Sequence, residues 1–165
     1  MRKTKGIGIT LATATLIGML SGAAQWAKGE DLSAQATYRD IEQTLGSVPS
    51  FFKAFPESGI AGAWSEFKSV QLAKTKLDNK TKELIGLGIA AQIPCQYCIY
   101  FHTAAAKANG ASDQEIKETI AMAAVVRHWS TVLNGLQIDL NGFKHEVDTV
   151  MRAAAEKAKA MGMTK

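Results

Sequence analysis

Between Tyr38 and Gly162, every break in the apolar pattern carries a helix cap or a proline, and no stretch alternates as a strand would. A chain so punctuated can bury its apolar residues only by packing helix on helix. The expected fold is all-α, a bundle of six or seven helices. Tyr38 to Leu45 predicts a short helix closed by Gly46. Val48-Pro49 opens a second, SFFKAF, broken at Pro56, and Ser58 to Lys74 predicts an amphipathic helix with Ile60, Trp64, Phe67 and Val70 on its apolar side. The aromatics Phe51, Phe52, Phe55, Trp64 and Phe67 are read as core. Asp78 caps the next helix, NKTKELIGLGIAAQI, which is apolar nearly all round past its first turn and is expected to be buried. Its Gly86 and Gly88 would let another helix approach closely.

The two cysteines of the chain follow at once, in IPCQYCIYFH. Proline suits a first helical turn, so a helix is expected from Pro94 to its stop at Gly110. On that helix Cys95 and Cys98 are i, i+3 neighbours, and Cys98 and His102 are i, i+4 neighbours. A helix start favours a thiolate over a thiol, and an imidazole one turn away can take or return a proton. Ser112 to Glu115 forms a capping box for a long helix ending at Gly135, which carries His128. Packing or solvent is the usual lot of such a histidine, although a helix this apolar could also bring it to the site. Asn141 is expected to cap a last helix that stops at Gly162.

Length and composition fit one folded domain. The chain has 165 residues, 47% hydrophobic and 21% charged, which is a globular rather than a disordered balance. Its start is different in kind: MRKTK is basic, GIGITLATATLIGML is uncharged and mainly apolar, and small residues follow at 22–24. Residues 1–24 are read as a cleaved secretory signal, with 25–165 as the remaining helical domain. The competing reading is an uncleaved anchor, since Gly6 to Gln25 carries no charge. The expected location is the periplasm or outside the cell, with no membrane attachment after cleavage. Losing Arg2, Lys3 and Lys5 lowers the basic residues from 19 to 16 against 15 acidic ones, a net charge of about +1. A near-neutral domain without a basic stripe gives no case for nucleic-acid binding.

Four chemistries could use the cysteines. A structural disulfide suits an exported protein, but so short a loop restrains the unfolded chain little. Zinc would find Cys95, Cys98 and His102, with His128 as a fourth ligand, yet no second ligand pair has the usual spacing. Haem attachment needs histidine directly after the second cysteine, where Ile99 stands. A catalytic dithiol uses the helix start and the nearby histidine, and is the best of the four. Neither metal nor cofactor is expected. By local pattern, Glu83 is a solvated residue near a helix start.

The segment Glu83-(x₁₁)-Cys95-Gln-Tyr-Cys98-(x₃)-His102, followed by AAAKANGAS and a long alanine-rich helix, resembles the carboxymuconolactone decarboxylase / AhpD-like alkylhydroperoxidase family over about residues 77–135. The resemblance implies an AhpD-like helical bundle and a thiol peroxidase. Cys98 would be the thiolate that attacks a hydroperoxide. Cys95 would resolve the sulfenic acid as a disulfide. His102 would relay protons, and Glu83 would orient it. The helix dipole alone would favour Cys95 as the more acidic thiol, whereas the adjacent His102 favours Cys98. The resemblance further implies a thiol or dithiol electron donor and a homo-oligomer, commonly a trimer or hexamer. Family members without the dithiol are lactone decarboxylases. Two departures stand out: Gln96-Tyr97 occupies the place where well-studied peroxidases of the family have a second histidine, and the better-known members are cytoplasmic. A thiol–disulfide oxidoreductase using the same pair, and a non-enzymatic exported protein with a structural disulfide, are the alternatives.

Overall fold

The structure, a computed structural model, describes residues 34–163. The expected signal segment lies outside the described residues. Those described are helical throughout, with no strand among them, and they fall into two compact units that meet in sequence at Ala73 and Lys74.

In the first unit, α1 (34–45) is followed by α2 (Ser50–Ala54) and α3 (Glu57–Glu66). Pro49 and Pro56 stand at the N-caps of α2 and α3, where their missing N–H groups cost no helical hydrogen bond. The predicted helix from Ser58 divides in two: α3 ends at Glu66 and continues as a π-helical stretch, Phe67–Leu72. Ile41 and Ile60 are fully buried, and Phe52 meets Trp64 edge-on at 5.5 Å. Asp40 ties α1 to this layer, accepting from Trp64 Nε1 at 2.8 Å and from Lys68 Nζ at 2.5 Å. Phe67 packs against the cluster, as expected. Phe51 touches the cluster only at its rim, its ring 4.3 Å from that of Phe52, and both Phe51 and Phe55 remain exposed. Helix α2 is only five residues long, so it turns one side inward, and Phe52 occupies it.

The second unit holds α4 (Asn79–Gln92), α5 (Gln96–Ala108), α6 (Asp113–Gly135) and α7 (Leu140–Ala160). Asp78 caps α4, accepting from Thr81 N at 2.7 Å. Ser112 and Glu115 form the expected box at the start of α6, and Gly110, at φ +86°, carries the turn out of α5. Helix α6 ends at Gly135, as expected, and the left-handed residue that turns the chain away is Gln137, at φ 52°. Two local expectations are corrected. The helix after Pro94 begins two residues later, because Cys95 is extended and its N–H closes the end of α4 by donating to Ala90 O at 3.1 Å. Asp139, not Asn141, caps α7, with Gly142 N donating to its carboxylate at 2.6 Å.

Helix α4 packs against both α5 and α6. It was expected to be buried on all sides, but only the stripe Glu83, Leu87, Ala90 is. Ile85 and Ile89 point out of the unit and are about half exposed. Neither α6 nor α7 has a single buried residue. Among the described residues, no helix is long and apolar enough to cross a membrane.

Candidate active site

The turn between α4 and α5 brings the chemistry together. Cys95 is the N-cap of α5 and Cys98 lies in its first turn; the two are joined as a disulfide with their α-carbons 5.3 Å apart. Both cysteines are half-buried. The backbone N–H of Cys98 donates to Cys95 Sγ at 3.2 Å, so a sulfur does here what a serine or aspartate oxygen does at other helix starts. Upon reduction, a thiolate at position 95 would keep that donor and the favourable end of the helix dipole.

One turn beyond Cys98, His102 turns back onto α4. Its Nδ1 lies 2.7 Å from Glu83 Oε2. A carboxylate only accepts, so Nδ1 is the donor, and the neutral ring then offers Nε2 as a proton acceptor. Glu83 is 3% exposed, which overturns the local reading of it as a solvated residue. The ring of His102 can come this close because position 86 is glycine: a β-carbon there would fall 2.4 Å from His102 Cε1 and 2.5 Å from Nδ1. The expectation that Gly86 admits a close approach holds, and the group admitted is the histidine itself. Phe101 meets the imidazole edge-on at 5.3 Å.

A clamp that sequence reasoning missed steadies the turn. The Gln92 side chain donates to Ala123 O on α6, and Arg127 of α6 donates to Gln92 O at 3.1 Å. The last turn of α4, and with it the carbonyl that receives Cys95 N–H, is thus tied to α6. The available signal was a polar Gln92 ending an apolar run just before Ile93-Pro94-Cys95. His128 is exposed on α6 with its ring edge-on to Trp129 at 5.4 Å, and is not among the groups gathered at the disulfide. No group of three or more metal-ligating side chains occurs among the described residues.

A helical unit with a cysteine pair at a helix start and a buried carboxylate–imidazole pair one turn away defines a class of dithiol proteins built on helices alone. The chain belongs to the carboxymuconolactone decarboxylase family, whose model matches residues 59–139. It is 34% identical over 86 residues to a Paracoccus denitrificans protein described as uncharacterized protein 4 in the cox locus, a match that covers 49% of this chain and 78% of that one. The alkylhydroperoxidase AhpD core from Rhodospirillum rubrum has a similar structure, with a TM-score of 0.59 and 25% identity over 79% of this chain and 95% of that one. The fold is therefore the AhpD fold.

Proposed function

We propose that this protein is a thiol-dependent peroxidase that reduces hydroperoxides through Cys95 and Cys98. The observation that carries the reading is the 2.7 Å pair of His102 and buried Glu83, one helical turn from Cys98. A structural disulfide has no use for an oriented proton carrier, whereas peroxide chemistry moves a proton at every step. Likeness to an alkylhydroperoxidase core supports the same activity.

In the reduced enzyme, Cys98 gives up its proton to His102 and attacks the terminal oxygen of a hydroperoxide. An S–O bond forms, the O–O bond breaks, and the leaving alkoxide takes a proton from the imidazolium, leaving as an alcohol. Cys98 is then a sulfenic acid. The Cys95 thiolate attacks that sulfur, the S–S bond forms, and hydroxide leaves as water after protonation. Two thiols and one hydroperoxide become a disulfide, an alcohol and water. Cys95 suits the resolving step because the N–H of Cys98 already points at its sulfur. A thiol or dithiol donor then restores the pair. With a basic, then apolar N-terminal segment, we place the enzyme outside the cytoplasm, so its donor is one that works there.

The same cap favours a second reading. A thiolate stabilised at position 95 is the attacking group of a thiol–disulfide oxidoreductase. Peroxide turnover decides between them. The reduced protein should consume one equivalent of hydroperoxide per disulfide formed. Thiols that persist against peroxide but exchange rapidly with a disulfide would establish the oxidoreductase instead.

A further inference from the structure

We infer that Arg127 and Gln92 are positioning residues that hold the Cys95–Cys98 pair in the geometry of its disulfide and thereby set its reduction potential. The inference rests on the reading that the pair cycles between dithiol and disulfide, and not on peroxide as its oxidant. It begins with what the turn between α4 and α5 lacks. Ile93 is 61% exposed and Pro94 beside it is exposed, so burial does little to fix the path from Gln92 to Cys95. Proline has no N–H to donate. Ile93 N–H donates to Ile89 O and Cys95 N–H to Ala90 O, both at 3.1 Å, and both acceptors lie in the last turn of α4. Cys95 is therefore held only as firmly as that last turn.

Helix α6 supplies the hold. The Gln92 side chain donates to Ala123 O, and Arg127 Nη2 donates to Gln92 O at 3.1 Å. Ala123 and Arg127 stand one turn apart on α6, so one face of that helix grips both the side chain and the carbonyl of Gln92. That carbonyl is among the last four of its helix, which have no intrahelical donor. At the far end, Lys80 in the first turn of α4 donates to Glu115 in the first turn of α6 at 2.7 Å. Helix α4 is thus fastened to α6 at both ends, and the end beside the cysteines is fastened by hydrogen bonds of defined direction. Arg127 is exposed and Gln92 half-buried, and neither belongs to the buried stripe Glu83, Leu87, Ala90 that packs the helix. What the two residues act on is the turn.

The consequence is a redox one. In the disulfide the two α-carbons are 5.3 Å apart, Cys95 is extended at φ −87° and ψ 100°, and Cys98 N–H donates to its sulfur. A dithiol carries no such constraint. Were the end of α4 loose, forming the S–S bond would have to order Cys95 as well as join two sulfurs, and oxidation would be less favourable. With Gln92 and Arg127 in place, that ordering precedes the chemistry. The two residues therefore lower the reduction potential and make the disulfide the more persistent form.

Equilibration of the full chain with glutathione tests this. Two glutathione thiols reduce the Cys95–Cys98 disulfide to the dithiol and become glutathione disulfide, so the fraction oxidised over a series of glutathione ratios gives an equilibrium constant. Arg127→Met and Gln92→Leu should each lower the constant for disulfide formation about fivefold, a rise of about 20 mV in potential. Ordering roughly one residue of backbone has an effect of this size. Arg127→Lys can still donate to the carbonyl and should stay within about twofold of wild type. His128→Ala, at an exposed position of the same helix away from the disulfide, should match wild type. Circular dichroism of the reduced proteins should show the same helical content and melting temperature throughout. Peroxide takes no part in this equilibrium, so the result is independent of whether the protein turns peroxide over. Unchanged constants in Arg127→Met and Gln92→Leu, a lysine variant as weak as the methionine one, an equal loss in His128→Ala, or a loss that merely tracks melting temperature would overturn the inference.

Discussion

The imidazole of His102 occupies the space that a side chain at Gly86 would need, its Cε1 lying 2.4 Å from the ideal β-carbon position. That contact links a glycine in α4 to the histidine on α5 that we propose carries the proton. Gly86→Ala should lower stability by about 1 kcal/mol, because the better helix propensity of alanine is outweighed when the buried Glu83 carboxylate loses its imidazole. The methyl group should push the ring off Glu83, and the peroxide rate constant should fall about tenfold. Gly86→Val should lower it further. Thermal melts beside rate–pH profiles check this: a rate unchanged in both variants would mean that the contact does not position the histidine.

Glu83 should matter through its charge rather than its shape. Glu83→Gln keeps the volume and can still accept from Nδ1, but it no longer balances the imidazolium formed when Cys98 is deprotonated. Peroxide reduction should drop about 10²-fold with the fold intact. Stopped-flow oxidation of the reduced variant, followed across pH, would show both the loss and any displacement of the profile.

The left-handed residue at the end of α6 is a glutamine. Gln137, at φ 52°, holds a conformation that a β-carbon disfavours. Gln137→Gly should raise stability by about 0.5 kcal/mol, the relief of strain being partly offset by the freer unfolded chain. Urea unfolding midpoints of the two proteins give the comparison.

Acid should loosen the start of α6. Lys80 donates to Glu115 Oε1 at 2.7 Å and Ser112 N donates to Oε2 at 2.7 Å; the lysine first, and the serine after it, pull the carboxyl down from 4.5 to about 2. A depressed carboxyl contributes stability above its unfolded value, and that contribution is lost as pH falls from about 4.5 towards 2. The difference in unfolding midpoint between wild type and Glu115→Gln should therefore be largest near neutral pH and shrink through that window. A constant difference from pH 7 to pH 2 would contradict it.

How much of this was legible beforehand follows from the range of the forces involved. Caps at Asp78 and Ser112, and the turn at Gly110, act within four residues, so local sequence reveals them. The cysteine pair and His102 share one helix and are legible for the same reason. Glu83 is not, because its burial is decided by a histidine 19 positions away on another helix. Family resemblance, not local pattern, pointed to it. The late start of α5 escaped notice because Cys95 N–H closes α4 and its sulfur caps α5, two roles that proline at 94 obscures. Hydrophobicity marked Ile85 and Ile89 as residues to be covered, yet α5 and α6 leave both about half exposed.

The central claim is that Cys98, one turn from His102, is the atom that meets the peroxide. The most direct test is to reduce a Cys95→Ser variant, add one equivalent of hydroperoxide with a sulfenic-acid trap present, and read the adduct by intact mass and peptide mapping. A trapped sulfenic acid on Cys98, together with rapid loss of both thiols in the wild type, is the expected result. An untouched Cys98 thiol in the variant, with the wild-type pair equally inert, would contradict the account.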